Sequence, residues 1–181
     1  MKITNIKYYG GARDKVSRLG LADLFLELQH ILLDTRIALE ESNQANGAAV
    51  IREALDATIE KASGWTKIQA GGIDWSKQRR YNETFVSRIG VEIQVSSRSD
   101  LLIRDVVHLR NSLQKAEIDA GVIVVPSDRM QRFLPDRTPS FRDAIKYIEQ
   151  EFKEATTFPI IVIAVEHDAV GTALPKRKRK S

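Results

Sequence analysis

The 181-residue chain contains no cysteine, which excludes disulfides and thiolate metal sites together. Its three histidines are scattered, too few and too far apart for a His-rich zinc centre, so a metal here is expected to sit among oxygen ligands. Long apolar runs are missing as well: stretches such as "IIVIAV" at 160–165 are far shorter than a bilayer requires, and the N-terminus has no apolar signal core. The expectation is a cytoplasmic protein with no membrane partner. Positive charge is scarcer than the totals suggest. The formal charge is +4, yet five of the positive residues form the run "KRKRK" at 176–180, so the rest of the chain is close to neutral.

What is present describes an ordered α/β chain. Hydrophobic residues at 43% and charged residues at 29% supply core material without the compositional bias of disorder, and the length suits a single domain over 1–175. Within it a helical part, 1–64, precedes a core, 65–168, and 176–181 reads as a basic, disordered tail. Leu21, Leu24, Leu28, Ile31, Leu32 and Ile37 recur at helical spacing through 20–41, and a second helix is expected over 48–62. From Trp65 the period changes to two. Phe85, Ile89, Val91, Ile93 and Val95 alternate with Glu92 and Gln94, and Ile73 and Trp75 flank Asp74, so two antiparallel strands are expected, joined by the polar "SKQRRYNE" as a loop. An amphipathic helix then follows Ser99, an N-cap candidate. Next come the apolar strand "AGVIVVP", a helix over 140–155 and the strand "FPIIVIAV", the order of a central mixed sheet flanked by helices.

The chemistry is concentrated in "RIGVEIQVSSRSD", 88–100. Glu92 and Gln94 share the strand face away from Val91 and Ile93, and Asp74 is placed on the same side of the neighbouring strand. Cross-strand neighbours have Cβ atoms roughly 4.5–5.5 Å apart. Two carboxylates that close repel unless a cation lies between them, and hard oxygen ligands favour magnesium or manganese. The bland alternative is that Glu92 and Gln94 are the solvated face of their strand.

Asp74 followed by Glu92-Ile93-Gln94 resembles the PD-(D/E)-x-K nuclease motif with Gln in place of Lys, the form carried by type II restriction endonucleases of the BglII and BstYI group. The resemblance runs from about 65 to 165, through "VEIQVSSRSD", "IDAGVIVVPSDRM" and "FPIIVIAV". It implies a restriction-endonuclease-like core. It further implies that Asp74, Glu92 and the backbone carbonyl of Ile93 ligate Mg²⁺, or Mn²⁺ in its place, while Gln94 orients the attacking water. In the family the first acid lies closer to the Glu, a spacing that would select Glu83, so Asp74 and Glu83 stand as alternatives, Asp74 preferred. Glu60, or else Glu53, on the preceding helix could supply a further polar residue. Ser96, Ser97 and Arg98 are candidates for contacts to base edges. In the Arg- and Pro-rich loop 126–140, Ser127, Arg129, Arg132 and Arg137 are candidates for phosphates or bases, and the basic tail adds salt-sensitive attraction to DNA. His30 and His108 read as helix-packing residues. The implied enzyme is a homodimer that cuts double-stranded DNA at a short palindromic site, paired with a cognate methyltransferase, and its N-terminal helix is a candidate dimer element. The competing readings are a repair or recombination nuclease on the same core and a DNA-binding module without catalysis.

Overall fold

The computed structural model describes residues 1–67 and 72–176. The basic tail, apart from Lys176, lies outside the described residues. A six-stranded mixed sheet forms the middle of the molecule, with strands in the order β1 (Lys2–Tyr8), β7 (Ile160–Glu166), β6 (Ala120–Pro126), β5 (Val86–Ile93), β4 (Trp75–Arg80) and β3 (Thr66–Lys67). The three inner strands β5, β6 and β7 run parallel, and the outer strands run antiparallel to their neighbours. Every residue of β6 and β7 is buried, as expected of parallel strands covered on both faces, and their near-continuous Val and Ile content follows from that.

One face of the sheet carries α1 (Ala12–Arg18), α2 (Ala22–Asp34) and α3 (Ala48–Lys61), whose Val16, Leu24, Leu28, Ile51 and Leu55 share a core with Val91, Ile93, Val122 and Val124. The other face carries α4 (Asp100–Gln114), whose Leu102, Val106 and Leu109 pack with Ile123, Val125 and Ile160. Alternation along β5 therefore delivers Val91 and Ile93 to one core and turns Glu92 and Gln94 toward the α4 side.

Several elements differ from the sequence expectation, each for an identifiable reason. The N-terminal part is not wholly helical, because β1 pairs along β7 as an edge strand. Its period of two is broken by a register shift between Ile3 and Asn5, a bulge that lets Ile3 and Ile6, three residues apart, both reach the α2 side of the core. The helix expected to reach residue 41 ends at Asp34. Thr35 turns extended there, and Ala38–Leu39 becomes a short strand, β2, parallel to Ala169–Val170, β8. The polar "SKQRR" is strand, not loop, for it forms most of β4. Its arginines are exposed, in keeping with the way charged side chains are tolerated on outer strands. Ser99 precedes α4 without a side-chain capping bond. By contrast Ser140 forms a full capping box with Asp143 and opens α6 (Phe141–Lys146), which passes into π and 3-10 turns through Thr157 instead of staying α-helical. A small helix, α5 (Asp128–Gln131), occupies the start of the expected 126–140 loop.

Candidate active site

The site forms where β4 and β5 part. Trp75 pairs with Val91, and one step further the chain of β4 leaves the sheet, so Asp74 stands across from Glu92. The departure strands the backbone of Ile93, whose N–H and C=O both point to the side β4 has vacated. Asp74 Oδ2 accepts from Ile93 N at 2.9 Å, and Arg52 Nη1 on α3 donates to Ile93 O. The guanidinium also meets Asp74 Oδ1 at 2.9 Å and Asp56 Oδ2 at 3.2 Å. One side chain thus bridges an acid and a carbonyl that a regular hairpin would have left to the ladder. Asp56 in turn accepts from Trp75 Nε1 at 2.8 Å and Lys67 Nζ at 3.1 Å. Burial works against the charge of Asp56, but these three donors hold its carboxyl below the usual range.

Glu92 and Gln94 are 1% and 2% exposed, which removes the reading of them as a solvated strand face. Gln94 donates through Nε2 to Ser96 Oγ at 3.0 Å and to the Arg98 carbonyl at 3.1 Å, tying the strand to the loop after it. Glu92 faces α4. His108 Nδ1 lies 3.3 Å from Glu92 Oε1, and ligand-capable atoms of Glu92, Asp105 and His108 all fall within 4.8 Å of one another. Burial, reinforced by the charges of Asp74 and Asp105, pushes the Glu92 carboxyl up to about 10. Burial and Asp74 push Asp105 up to about 7, and burial with nearby Arg104 lowers His108. A low-dielectric pocket holding three carboxylates near one another is one in which a proton or a cation must supply the missing positive charge.

The fork thus sets a half-buried Asp74 across from a buried Glu92, with an amide two residues on and a parallel β5-α4-β6 unit behind it. A family model described as "Restriction endonuclease BglII/BglIII" matches residues 6–165 of the chain, which is most of its length. The chain belongs to this restriction endonuclease family. No curated protein matches it. Family membership makes the protein a type II site-specific deoxyribonuclease, an enzyme that binds DNA and uses a divalent metal.

Within this restriction endonuclease the sequence-predicted residues divide by position. Asp74, Glu92 and the Ile93 carbonyl lie at the fork, and Gln94, two residues on from Glu92, turns its amide to the following loop. Ile73 and Trp75 do not share a face as strand alternation would have them: β4 begins only at Trp75, so Ile73 packs on the α4 side and Trp75 on the α3 side. Glu83 sits exposed in the turn between β4 and β5, beyond Val86, from which β5 alone runs about 20 Å to Glu92. Glu60 is exposed on α3, and it is Arg52 and Asp56 that reach the fork from that helix. Ser96 and Ser97 border a cleft of about 630 Å³ shared with Arg52, Asp56, Lys67 and Lys176, and Glu53 lines the same cleft. Arg98 is exposed beside that loop and paired with Asp100 at 2.5 Å.

The 126–140 residues are farther from the reading. Ser127 is buried, accepts from Met130 N as the cap of α5 and donates to Glu166, so its hydroxyl is spent on structure. Arg129 pairs with Glu41 at 2.6 Å and lies over Phe133. Arg132 and Arg137 are exposed. Asp105 was not singled out in the sequence, and His108, read there as a helix-packing residue, instead turns its ring onto Glu92. The available signal was a carboxylate on the apolar stripe of α4, three residues after Leu102 and one before Val106, with a histidine three residues further on the same face.

Proposed function

We propose that the protein hydrolyses phosphodiester bonds of double-stranded DNA at a short palindromic site, as a homodimer, using Mg²⁺ with Mn²⁺ as a substitute. The observation that carries this reading is the meeting of Asp74, Glu92 and the Ile93 carbonyl at the fork of β4 and β5. These are hard oxygen donors in a water-poor setting, and acids that cannot all ionise without added positive charge suit a divalent cation. The bound ion would supply Lewis-acid stabilisation of the scissile phosphate and a more acidic water.

The chain's own groups then have defined tasks. Asp74, Glu92 and the Ile93 carbonyl would hold the ion at the end of β5. Gln94, fixed through its Nε2 to Ser96 and Arg98, has Oε1 left to accept from the attacking water and orient it. It cannot remove the proton, having no basic nitrogen. Arg52 bridges two of the assigned ligands, so with an ion held there its guanidinium would be released to the cleft it lines, where it could meet a DNA phosphate. Ser96, Ser97 and Arg98 stand at the end of β5, placed to reach base edges while the fork reaches the backbone. A cut in both strands by one kind of chain calls for two-fold symmetry, and Leu26 and Leu33, at 51% and 41% exposed on α2, offer apolar surface for a partner copy. A cognate methyltransferase would protect the host's copies of the site.

Cleavage of a mixed-sequence plasmid library with Mg²⁺, with EDTA and with Glu92→Ala, followed by sequencing of the product ends, tests the proposal. Ends sharing one palindromic motif, abolished by EDTA and by the substitution, are expected. Ends without a shared motif would replace site-specific cleavage by a repair-type activity. DNA binding with no cleavage under any metal would leave only a binding module.

A further inference from the structure

We infer that a second divalent cation position lies on the α4 side of Glu92, built from Glu92, Asp105 and His108, with Glu92 shared between it and the position assigned to Asp74 and the Ile93 carbonyl. The inference rests on the nuclease reading for the first position and extends the ligand set beyond it. Two groups on one turn of α4, three residues apart, meet a strand acid from β5, and their ligand-capable atoms lie within 4.8 Å of one another. That is the convergence a small ion needs.

The surroundings show what the cluster lacks. Asp105 is 2% exposed, and among the described residues its carboxylate meets a single cation, Arg104, at 3.7 Å, beyond hydrogen-bonding distance. A buried carboxylate whose nearest cation stands 3.7 Å away, and which lies within ligand distance of a second buried carboxylate, is costly unless a closer cation completes it. His108 is turned inward onto Glu92 at 3.3 Å, although packing alone would be served by its apolar neighbours on α4. Arg52 acts on this cluster only at a distance, since its guanidinium makes its contacts with Asp74, Asp56 and the Ile93 carbonyl.

The donor set also specifies the ion. An imidazole beside two carboxylates favours Mn²⁺ over Mg²⁺, for Mg²⁺ prefers oxygen ligands and retained water. A pair of ions sharing one carboxylate is the arrangement that two-metal phosphodiesterases use to hold the attacking and leaving oxygens together, with the ions about 3.5–4 Å apart. The expected consequence here is a protein that binds two Mn²⁺, one through nitrogen, and binds Mg²⁺ tightly at one position only.

The test is titration of the intact, metal-stripped protein with MnCl₂ in the absence of DNA, counting bound ions by loss of the free-ion electron paramagnetic resonance signal, and recording nitrogen modulation in the pulsed spectrum. Wild type should bind two ions and show modulation from a coordinated imidazole. His108→Gln should remove the modulation, and both it and the near-isosteric Asp105→Asn should weaken one of the two sites by about 10–100-fold. Asp74→Asn should weaken the other and leave the modulation intact. Circular dichroism of each variant shows that the fold is kept. A stoichiometry of one in wild type, or a spectrum and affinity unchanged by His108→Gln and Asp105→Asn, would overturn the inference whether or not the protein cuts DNA. Two ions with nitrogen modulation, but no DNA cleavage with either metal, would support the second site while removing the nuclease reading.

Discussion

Replacing Glu92 by Gln should abolish DNA cleavage and, in the metal-free protein, raise stability at alkaline pH. The Glu92 carboxyl holds its proton to about 10 in the folded chain, whereas an unfolded glutamate releases it near about 4.3. Between those limits the folded state binds more protons than the unfolded state, so each rise in pH favours unfolding. Asp105, pushed up to about 7, contributes the same sign, is half-titrated at that pH and is finished about one unit above it, while burial with nearby Arg104 keeps His108 low. From about pH 7 to 9 Glu92 therefore dominates among the site's groups, and at about 1.4 kcal/mol per unit it costs the metal-free wild type up to about 3 kcal/mol. For a chain of this length that is a fall in Tm of roughly 6–12 °C. Glu92→Gln keeps the shape of the side chain and removes the proton. Differential scanning calorimetry of both proteins in EDTA across that range should give a Tm difference that widens with pH, and Mg²⁺ or Mn²⁺ should flatten the wild-type slope by replacing the proton. Parallel curves for wild type and Glu92→Gln would refute the claim that a buried, uncompensated carboxylate governs this site.

The other expectations follow from particular contacts. Arg52→Met leaves the Ile93 carbonyl without its donor and Asp74 without its ion pair and should cost about 1–3 kcal/mol in denaturant unfolding without metal, while tightening divalent-ion binding measured by calorimetry because the competing guanidinium is gone. Gly90→Ala sets a methyl 2.8 Å from Ile73 Cδ1 and 2.9 Å from Ile118 Cδ1; the resulting overpacking of β5 against the α4 side should cost about 1–3 kcal/mol in the same assay. Leu26→Glu combined with Leu33→Glu should shift sedimentation from dimer to monomer and reduce double-strand cuts relative to nicks. Removal of residues 176–181 should weaken binding to unrelated DNA and lower its salt dependence, read as the slope of log affinity against log salt, with cleavage at the specific site retained at low salt.

The sequence by itself determined the sheet's centre and the triplet that carries the chemistry. Buried parallel strands must be apolar on both faces, which makes "AGVIVVP" and "FPIIVIAV" unmistakable, and alternation along 86–95 puts Glu92 and Gln94 on one face whatever surrounds them. The same local rules failed where partners distant in the chain decide conformation. The bulge in β1 hides the period of two, β8 draws Ala38 and Leu39 out of a helical pattern, and pairing of β4 with β5 on one side and β3 on the other makes a strand of the polar "SKQRR". Only the tertiary structure could bring Arg52 from α3 to Asp74 and the Ile93 carbonyl, leave Glu83 and Glu60 outside the fork, spend Ser127 on a cap, and turn Asp105 and His108 onto Glu92. The reason is physical. Which face a side chain takes is set by the periodicity of its own segment, but which charge it meets there depends on packing between segments dozens of residues apart.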